Sequence, residues 1–314
     1  MTTIALRDRD LLSIDDFTAE ELAAILSTAA LLKRQPVLAG QVAAGKTLAM
    51  IFEKPSLRTR VTFEVAMTQL GGHAIYLQPA DIGLGTREPV KDVARNLSRW
   101  CDVIMARTFT HETVRGLAEY ASVPVINALS DLEHPCQALA DFLTISEYKA
   151  TVKGRKLAYV GDGNNVAHSL LLLAAKLGMR MAVGCPPGYE PDAAVVARAA
   201  AIAAETGGAI DITADPVAAV KKADAVYTDV WTSMGQEEER AERLRVFPPY
   251  QLNAALLAQA KPGALVMHCL PAHRGEEITD EVMESPQSVV LDQAENRLHA
   301  QKAVIALLLG LTPL

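Results

Sequence analysis

Short apolar runs alternate with amphipathic stretches over almost the whole chain. Runs of five to seven residues recur at TLAMIF, HAIYL, DVIMAR and VPVINAL, and again at KLAYVGD, MRMAVGC, AIDITAD, DAVYTDV, ALVMHCL and SVVLD. Their largely continuous apolar character predicts strands buried on both faces, and helical patterns separate most neighbours, as in parallel sheets. Four of these strands precede residue 135 and six follow residue 155. An opening helix is announced by Thr18 with Glu21 three residues on, ahead of LAAILSTAALL.

The grouping predicts an α/β protein of two parallel-sheet domains, residues 1–135 and 151–294, the second Rossmann-like. HPCQALADFLTISEYKATVKGRK lies between them and reads as a linking helix over 136–150 with a polar connector. The last segment, AENRLHAQKAVIALLLG, reads as a long helix, and 295–314 either stays with the second domain or packs back on the first. A chain of 314 residues can supply two cores of ordinary size.

Composition narrows the partners. Apolar residues are 50% against 21% charged, without repeats, so any disorder is expected only at the ends. Thirty basic against thirty-seven acidic residues give a net charge of -7 with no Lys/Arg-rich stripe, which disfavours nucleic acid. MTTIALRDRDLL carries charges where a signal peptide needs an apolar core, and AVIALLLGLTPL is too short to span a bilayer; a cytoplasmic protein without a membrane partner is expected. Cys101, Cys136, Cys185 and Cys269 have neither disulfide-framework nor zinc spacing. The first three read as core residues, and Cys269 stands apart in MHCLPAHRG.

Open parallel sheets bind ligands outside the carboxyl ends of their strands, and the unusual polar residues of this chain fall there. Ser56 and Arg58 follow the first strand, Arg107 ends the third, and His134 comes soon after the fourth. Asn164 and Asn165 follow the fifth, Asp229 ends DAVYTD, and His268 and Cys269 end ALVMHC. Two facing sheets would line one interdomain cleft with them.

Within SLRTR, the amides of a helix start, the hydroxyls of Ser56 and Thr59 and the arginine forks suit a dianionic phosphate; equally, Ser56 simply caps the helix and the arginines are solvated. VGDGNNV fails the dinucleotide fingerprint: Val166 occupies the third glycine position, and the next strand ends in Gly184 and Cys185 where a ribose-binding acid belongs. That disfavours a nicotinamide-dependent oxidoreductase and leaves either a tight turn or an Asn165 amide offered to a polar substrate. DVWTSMGQEEERAER reads as a mobile loop with Gly235 as hinge; Asp229 and Ser233 suit the ammonium of a zwitterion, while EEERAER reads as a solvated face. His134 is either a helix-start residue fixed by Pro135 or a ligand contact. His268 and Cys269 are either core residues or ligand contacts, and a cis bond is expected before Pro271.

Taken in order, FEKPSLRTR, HPCQALADFLT, VGDGNNVAHS, DVWTSMGQE, MHCLPAHRG and DQAENRLHA resemble the transcarbamylases nearly end to end, most closely their ornithine branch. SxRTR and HPxQ are common to the family, whereas DxWxSMG and HCLP are specific to that branch. The resemblance implies transfer of the carbamoyl group of carbamoyl phosphate to the side-chain amine of L-ornithine, giving L-citrulline and phosphate, without cofactor or metal. It assigns Ser56, Leu57, Arg58 and Thr59 to the phosphate loop, and Arg107, His134, Gln137, Cys269, Leu270 and Arg297 to the remaining carbamoyl-phosphate contacts. Asn165, Asp229, Ser233 and Met234 become ornithine contacts, with Cys269, Arg107 and His134 catalytic. It also implies a homotrimer or a multiple of trimers.

Two departures from the family pattern stand out. Leu57 replaces the commoner threonine, so a contact there must use the backbone N–H. Gly83 occupies a place where some members carry a side chain that reaches a neighbouring subunit's site. Putrescine, N-acetylornithine or aspartate are alternative acceptors, although Asp229 with SMG favours a free α-amino group. A binding scaffold without turnover is the non-enzymatic alternative.

Overall fold

The computed structural model of the protein describes residues 6–311. Residues 1–5 of the expected first domain and 312–314 of the expected last helix lie outside the described residues, as do the ends where disorder was expected. The chain forms two compact units, one running up to Leu143 and resuming at Glu295, the other Thr144–Ala294.

The first unit contains α1 (Ala19–Arg34), β1 (Thr47–Phe52), α2 (Leu57–Gln69), β2 (His73–Leu77), α3 (Pro79–Ile82), α4 (Val90–Trp100), β3 (Val103–Arg107), α5 (His111–Tyr120) and β4 (Val125–Leu129), and the chain leaves it within α6 (Pro135–Lys149). Thr18 caps α1 in a reciprocal capping box with Glu21. The four strands are parallel in the order β2-β1-β3-β4, over a core that includes Ile51, Val93, Leu97, Ile104, Val114 and Val125. Because β2 and β3 flank β1 on opposite sides, the connections reverse at the β1/β3 border. Gly83 ends α3 with φ +57°, and its missing Cβ would lie 2.7 Å from Arg87 Cβ, so the turn itself demands glycine.

The second unit contains β5 (Lys156–Val160), α7 (Asn165–Lys176), β6 (Arg180–Gly184), α8 (Ala193–Thr206), β7 (Ala209–Thr213), α9 (Pro216–Val220), β8 (Ala225–Thr228), α10 (Arg240–Val246), α11 (Ala254–Leu257), β9 (Leu265–His268) and α12 (Asp280–Met283). Its parallel sheet has the order β7-β6-β5-β8-β9, with the reversal between β5 and β8. In register, Val160 pairs with Thr228 and Thr228 with His268, so the residues that follow these three strands emerge side by side.

The expected strand SVVLD is not one. Ser288 makes a single bridge to Val266, and from Val290 the chain is already in α13 (Val290–Leu308). Only Val266 of β9 takes part, donating its amide to Gln287 and accepting from Val289. β propensity in Val289 and Val290 yields to burial of both residues at a helix start. From Glu295 the helix belongs to the first unit, where Lys302 Nζ donates to Gln69 Oε1 at 2.8 Å and Asn296 accepts from Lys33 at 2.9 Å. Among the described residues, no helix is long and apolar enough to cross a membrane. Cys101, Cys136 and Cys185 are buried, and burial pushes the thiols of Cys136 and Cys185 up to about 12.

Candidate active site

In the first unit the polar cluster grows from the switch point of the sheet. Strands β1 and β3 pair Phe52 with Arg107, so the loop after β1 and the end of β3 adjoin. Ser56 is the N-cap of α2: its Oγ accepts from the Thr59 amide at 3.3 Å and lies 3.1 Å from Thr59 Oγ1. Leu57 and Arg58 are the first two helical residues, whose amides point out of a helix start. The Leu57 side chain is 75% exposed and packs nothing away. Arg60, two residues beyond Arg58, turns elsewhere; it stacks 3.9 Å over Tyr76 and pairs with Glu64.

Buried cations complete this half. Arg297 Nη2 donates to the fully buried Thr59 Oγ1 at 2.8 Å. Arg107 is buried where the pairing of β3 with β4 shifts register between Ala106 and Arg107, an irregularity that re-aims the side chain. His134 is buried at the start of α6, its carbonyl accepting from the Gln137 and Ala138 amides. Burial first, then repulsion from Arg297 and Arg107, holds its pKa well below the ordinary 6.5, so it is neutral at physiological pH. Gln137, one turn on, donates to Asp141 at 2.7 Å. Two buried guanidinium groups beside a neutral imidazole and a capped helix start suit a compact dianion with a carbonyl attached.

In the second unit Asp229 is the hub, directly after β8 at the β5/β8 switch point. Its Oδ1 accepts from the Cys269 thiol and the Val230 amide, both at 2.8 Å, and its Oδ2 accepts from Asn164 Nδ2 at 2.8 Å. A carboxylate offers about four acceptor positions, so one on Oδ2 remains for an ammonium. Asn164 is the residue that sequence reasoning undervalued. Its Oδ1 caps α7 through the Val166 and Ala167 amides while its amide holds Asp229; Asn165 is the first residue of the helix. An N-cap pattern ahead of an apolar helix was the available signal.

Ser233 and Met234 lie on the loop after β8, with the Ser233 amide donating to Gln236 Oε1 at 3.1 Å and Met234 47% exposed. Leu270 has φ +58° and precedes a cis bond to Pro271, as the sequence led one to expect. His268 is core-like: its Nδ1 accepts from the Leu270 amide at 2.9 Å and its Nε2 faces Glu277 Oε1 at 2.9 Å, both side chains fully buried. Donor atoms of Asp229, His268 and Cys269 lie within 4.8 Å of one another, as do those of His273, Glu276 and Glu277. The first set is already engaged in the hydrogen bonds just given. Gly163 of the GDG turn has a structural reason: a Cβ there would lie 2.1 Å from Pro191 N.

Residues 9–147 match the aspartate/ornithine carbamoyltransferase carbamoyl-P binding domain, and residues 153–308 match the Asp/Orn binding domain of the same family. The chain belongs to the aspartate/ornithine carbamoyltransferase family. It is 59% identical over 309 residues to an ornithine carbamoyltransferase of Pyrococcus abyssi, covering 98% of each chain. It is 58% identical over 309 residues to the anabolic ornithine carbamoyltransferase of Pyrococcus furiosus, again covering 98% of each. The solved ornithine carbamoyltransferase of P. furiosus superposes with a TM-score of 0.95 at 58% identity, over 98% of this chain and 99% of that one. The Gloeobacter violaceus enzyme gives 0.89 at 52% identity, over 98% and 100%. In this carbamoyltransferase chain the stretch matching the carbamoyl-P domain contains Ser56, Arg107 and His134, and the stretch matching the Asp/Orn domain contains Asp229 and Cys269. Arg297 falls in the second match by sequence, yet hydrogen-bonds Thr59 of the first unit.

Proposed function

We infer that the protein is an ornithine carbamoyltransferase, which moves the carbamoyl group of carbamoyl phosphate to the side-chain nitrogen of L-ornithine. The observation that carries the residue assignment is the Thr59–Arg297 hydrogen bond at the capped start of α2, beside buried Arg107 and neutral His134. In this reading Ser56, the Leu57 and Arg58 amides, the Arg58 side chain and Thr59 hold the phosphate. Arg107, His134 and Thr59 stabilise the negative charge that grows on the carbamoyl oxygen, with Gln137, Arg297, Cys269 and Leu270 completing the donor's contacts. Asp229 holds the α-ammonium of ornithine, with Asn165, Ser233 and Met234 as its further contacts.

Attack forms a C–N bond and breaks the C–O bond to phosphate, and the amine proton leaves with the departing phosphate, so no covalent enzyme intermediate is required. The side-chain amine resembles lysine, whose solution pKa is ~10.4, so the ammonium first gives one proton to solvent, and the neutral amine then gives up the second to phosphate as the C–N bond forms. Cys269, bonded to Asp229, is placed to handle that charge. We also propose the anabolic direction, as named for the P. furiosus relative, and a role in arginine biosynthesis. We further propose a cytoplasmic homotrimer or multiple of trimers, which light scattering would test.

The experiment is a citrulline-type colour assay with carbamoyl phosphate and, in turn, ornithine, N-acetylornithine, putrescine and aspartate. Ornithine should be preferred because only it offers Asp229 a free α-ammonium together with a side-chain amine. Preference for putrescine or N-acetylornithine would overturn the Asp229 assignment, and ligand binding without product would leave the scaffold reading.

A further inference from the structure

The run EEERAER reads as a solvated face, yet Arg243 within it is only 4% exposed. Its guanidinium is engaged on both edges, and two aromatic rings lie close by on one side. Nη1 donates to the Trp231 carbonyl at 2.7 Å and lies 3.0 Å from Asp162 Oδ1, while Nε and Nη2 each reach Glu239 Oε2 at 2.9 Å. The rings of Tyr189 and Phe247 lie 4.9 Å and 5.7 Å from Cζ, and Phe247 in turn stacks on Trp231 at 5.7 Å.

The two groups held by Nη1 belong to different stretches. Trp231 lies two residues after Asp229 and two before Ser233, and Asp162 lies two before Asn164. Trp231 is 3% exposed, whereas Met234 at the tip of the same loop is 47% exposed and Gly235 has φ +96°. The stem of the loop is therefore buried, and Met234 is half exposed.

We propose that Arg243 is a positioning residue for the amine substrate: one planar fork fixes the Trp231 carbonyl and the Asp162 carboxylate, and so sets the spacing between the Asp229–Ser233 stretch and the Asn164–Asn165 turn. This rests on the ornithine contacts assigned above. Lysine cannot replace the fork, since a single ammonium does not reach the carbonyl, Asp162 and Glu239 together.

The test uses the full-length protein carrying Trp100→Phe, because the chain has two tryptophans and the exposed one must be removed to leave Trp231 as reporter. Into it go Arg243→Lys and, separately, Arg243→Met with Asp162→Asn, a pair that leaves no buried carboxylate without its cation. Both should raise the KM for ornithine at least about tenfold, leave the KM for carbamoyl phosphate within about twofold, and shift Trp231 emission before substrate is added. Equal rises in both KM values would overturn the proposal in favour of general support of the fold. Unchanged Trp231 emission in Arg243→Lys would overturn the anchoring itself. Absence of citrulline from the parent protein would instead overturn the underlying functional reading, and is seen before any Arg243 variant is made.

Discussion

Asp162→Asn should change how stability depends on pH. The carboxyl lies 3.0 Å from Arg243 Nη1 with its side chain 8% exposed. Burial is the largest influence and raises its pKa from 3.8 to about 6, against the pull of Arg243 and with Asp229 and Glu239 adding to the rise. Between those values the folded protein holds a proton that the unfolded chain has lost, so the contribution to stability is present at low pH and is lost as pH rises through about 6. At ~1.36 kcal/mol per pH unit the full effect is ~3 kcal/mol, of which ~2 kcal/mol falls between about pH 4.5 and 7.5. Asparagine does not titrate. The unfolding free energy of the wild type minus that of the variant should therefore fall by ~2 kcal/mol as the pH is raised across that interval. Urea unfolding at fixed protein concentration measures it, and taking the difference cancels the other titrating groups. A difference that stays constant, or grows with pH, would show that the Asp162 carboxyl is not raised by folding.

Arg58→Ala should weaken carbamoyl-phosphate binding by about 1.5–3 kcal/mol, the worth of a charge-assisted hydrogen bond, with the fold intact; unchanged binding by calorimetry would remove Arg58 from the phosphate loop. Asp229→Asn should raise the KM for ornithine by about 10–100-fold and leave that for carbamoyl phosphate within about threefold, while equal weakening would point to a structural role. Cys269→Ser, which keeps a donor 2.8 Å class contact to Asp229 but changes its acidity, should lower kcat and alter the pH–rate profile with Tm nearly unchanged; wild-type kinetics from about pH 6 to about pH 10 would exclude the thiol from the mechanism.

The fold was legible where a strand is central and buried on both faces, as at TLAMIF and KLAYV, because nothing competes with continuous apolar character there. It was not legible at SVVLD, where the same residue types start a helix and the stretch meets the sheet only around the single Ser288–Val266 bridge. Strand ends pointed to the polar residues, and sheet order explains why those after β1 and β8 matter most: each adjoins a switch point that no local pattern reveals. Asn164 was overshadowed by its neighbour because capping and holding Asp229 are one residue's work in three dimensions. Arg243 was hidden inside a charge run, since a seven-residue helix carries too little periodicity to mark one buried cation, and its partner Asp162 lies 81 positions upstream.

The proposed reaction is direct transfer of a carbamoyl group to ornithine's side-chain nitrogen. Carbon-13-labelled carbamoyl phosphate incubated with ornithine labelled with nitrogen-15 at the side-chain amine tests it in one NMR measurement. Direct transfer gives a product whose carbamoyl carbon is split by one-bond coupling to the labelled nitrogen, formed in step with an equal amount of phosphate. Release of phosphate with the carbon appearing in bicarbonate, or in a product lacking that coupling, would contradict it.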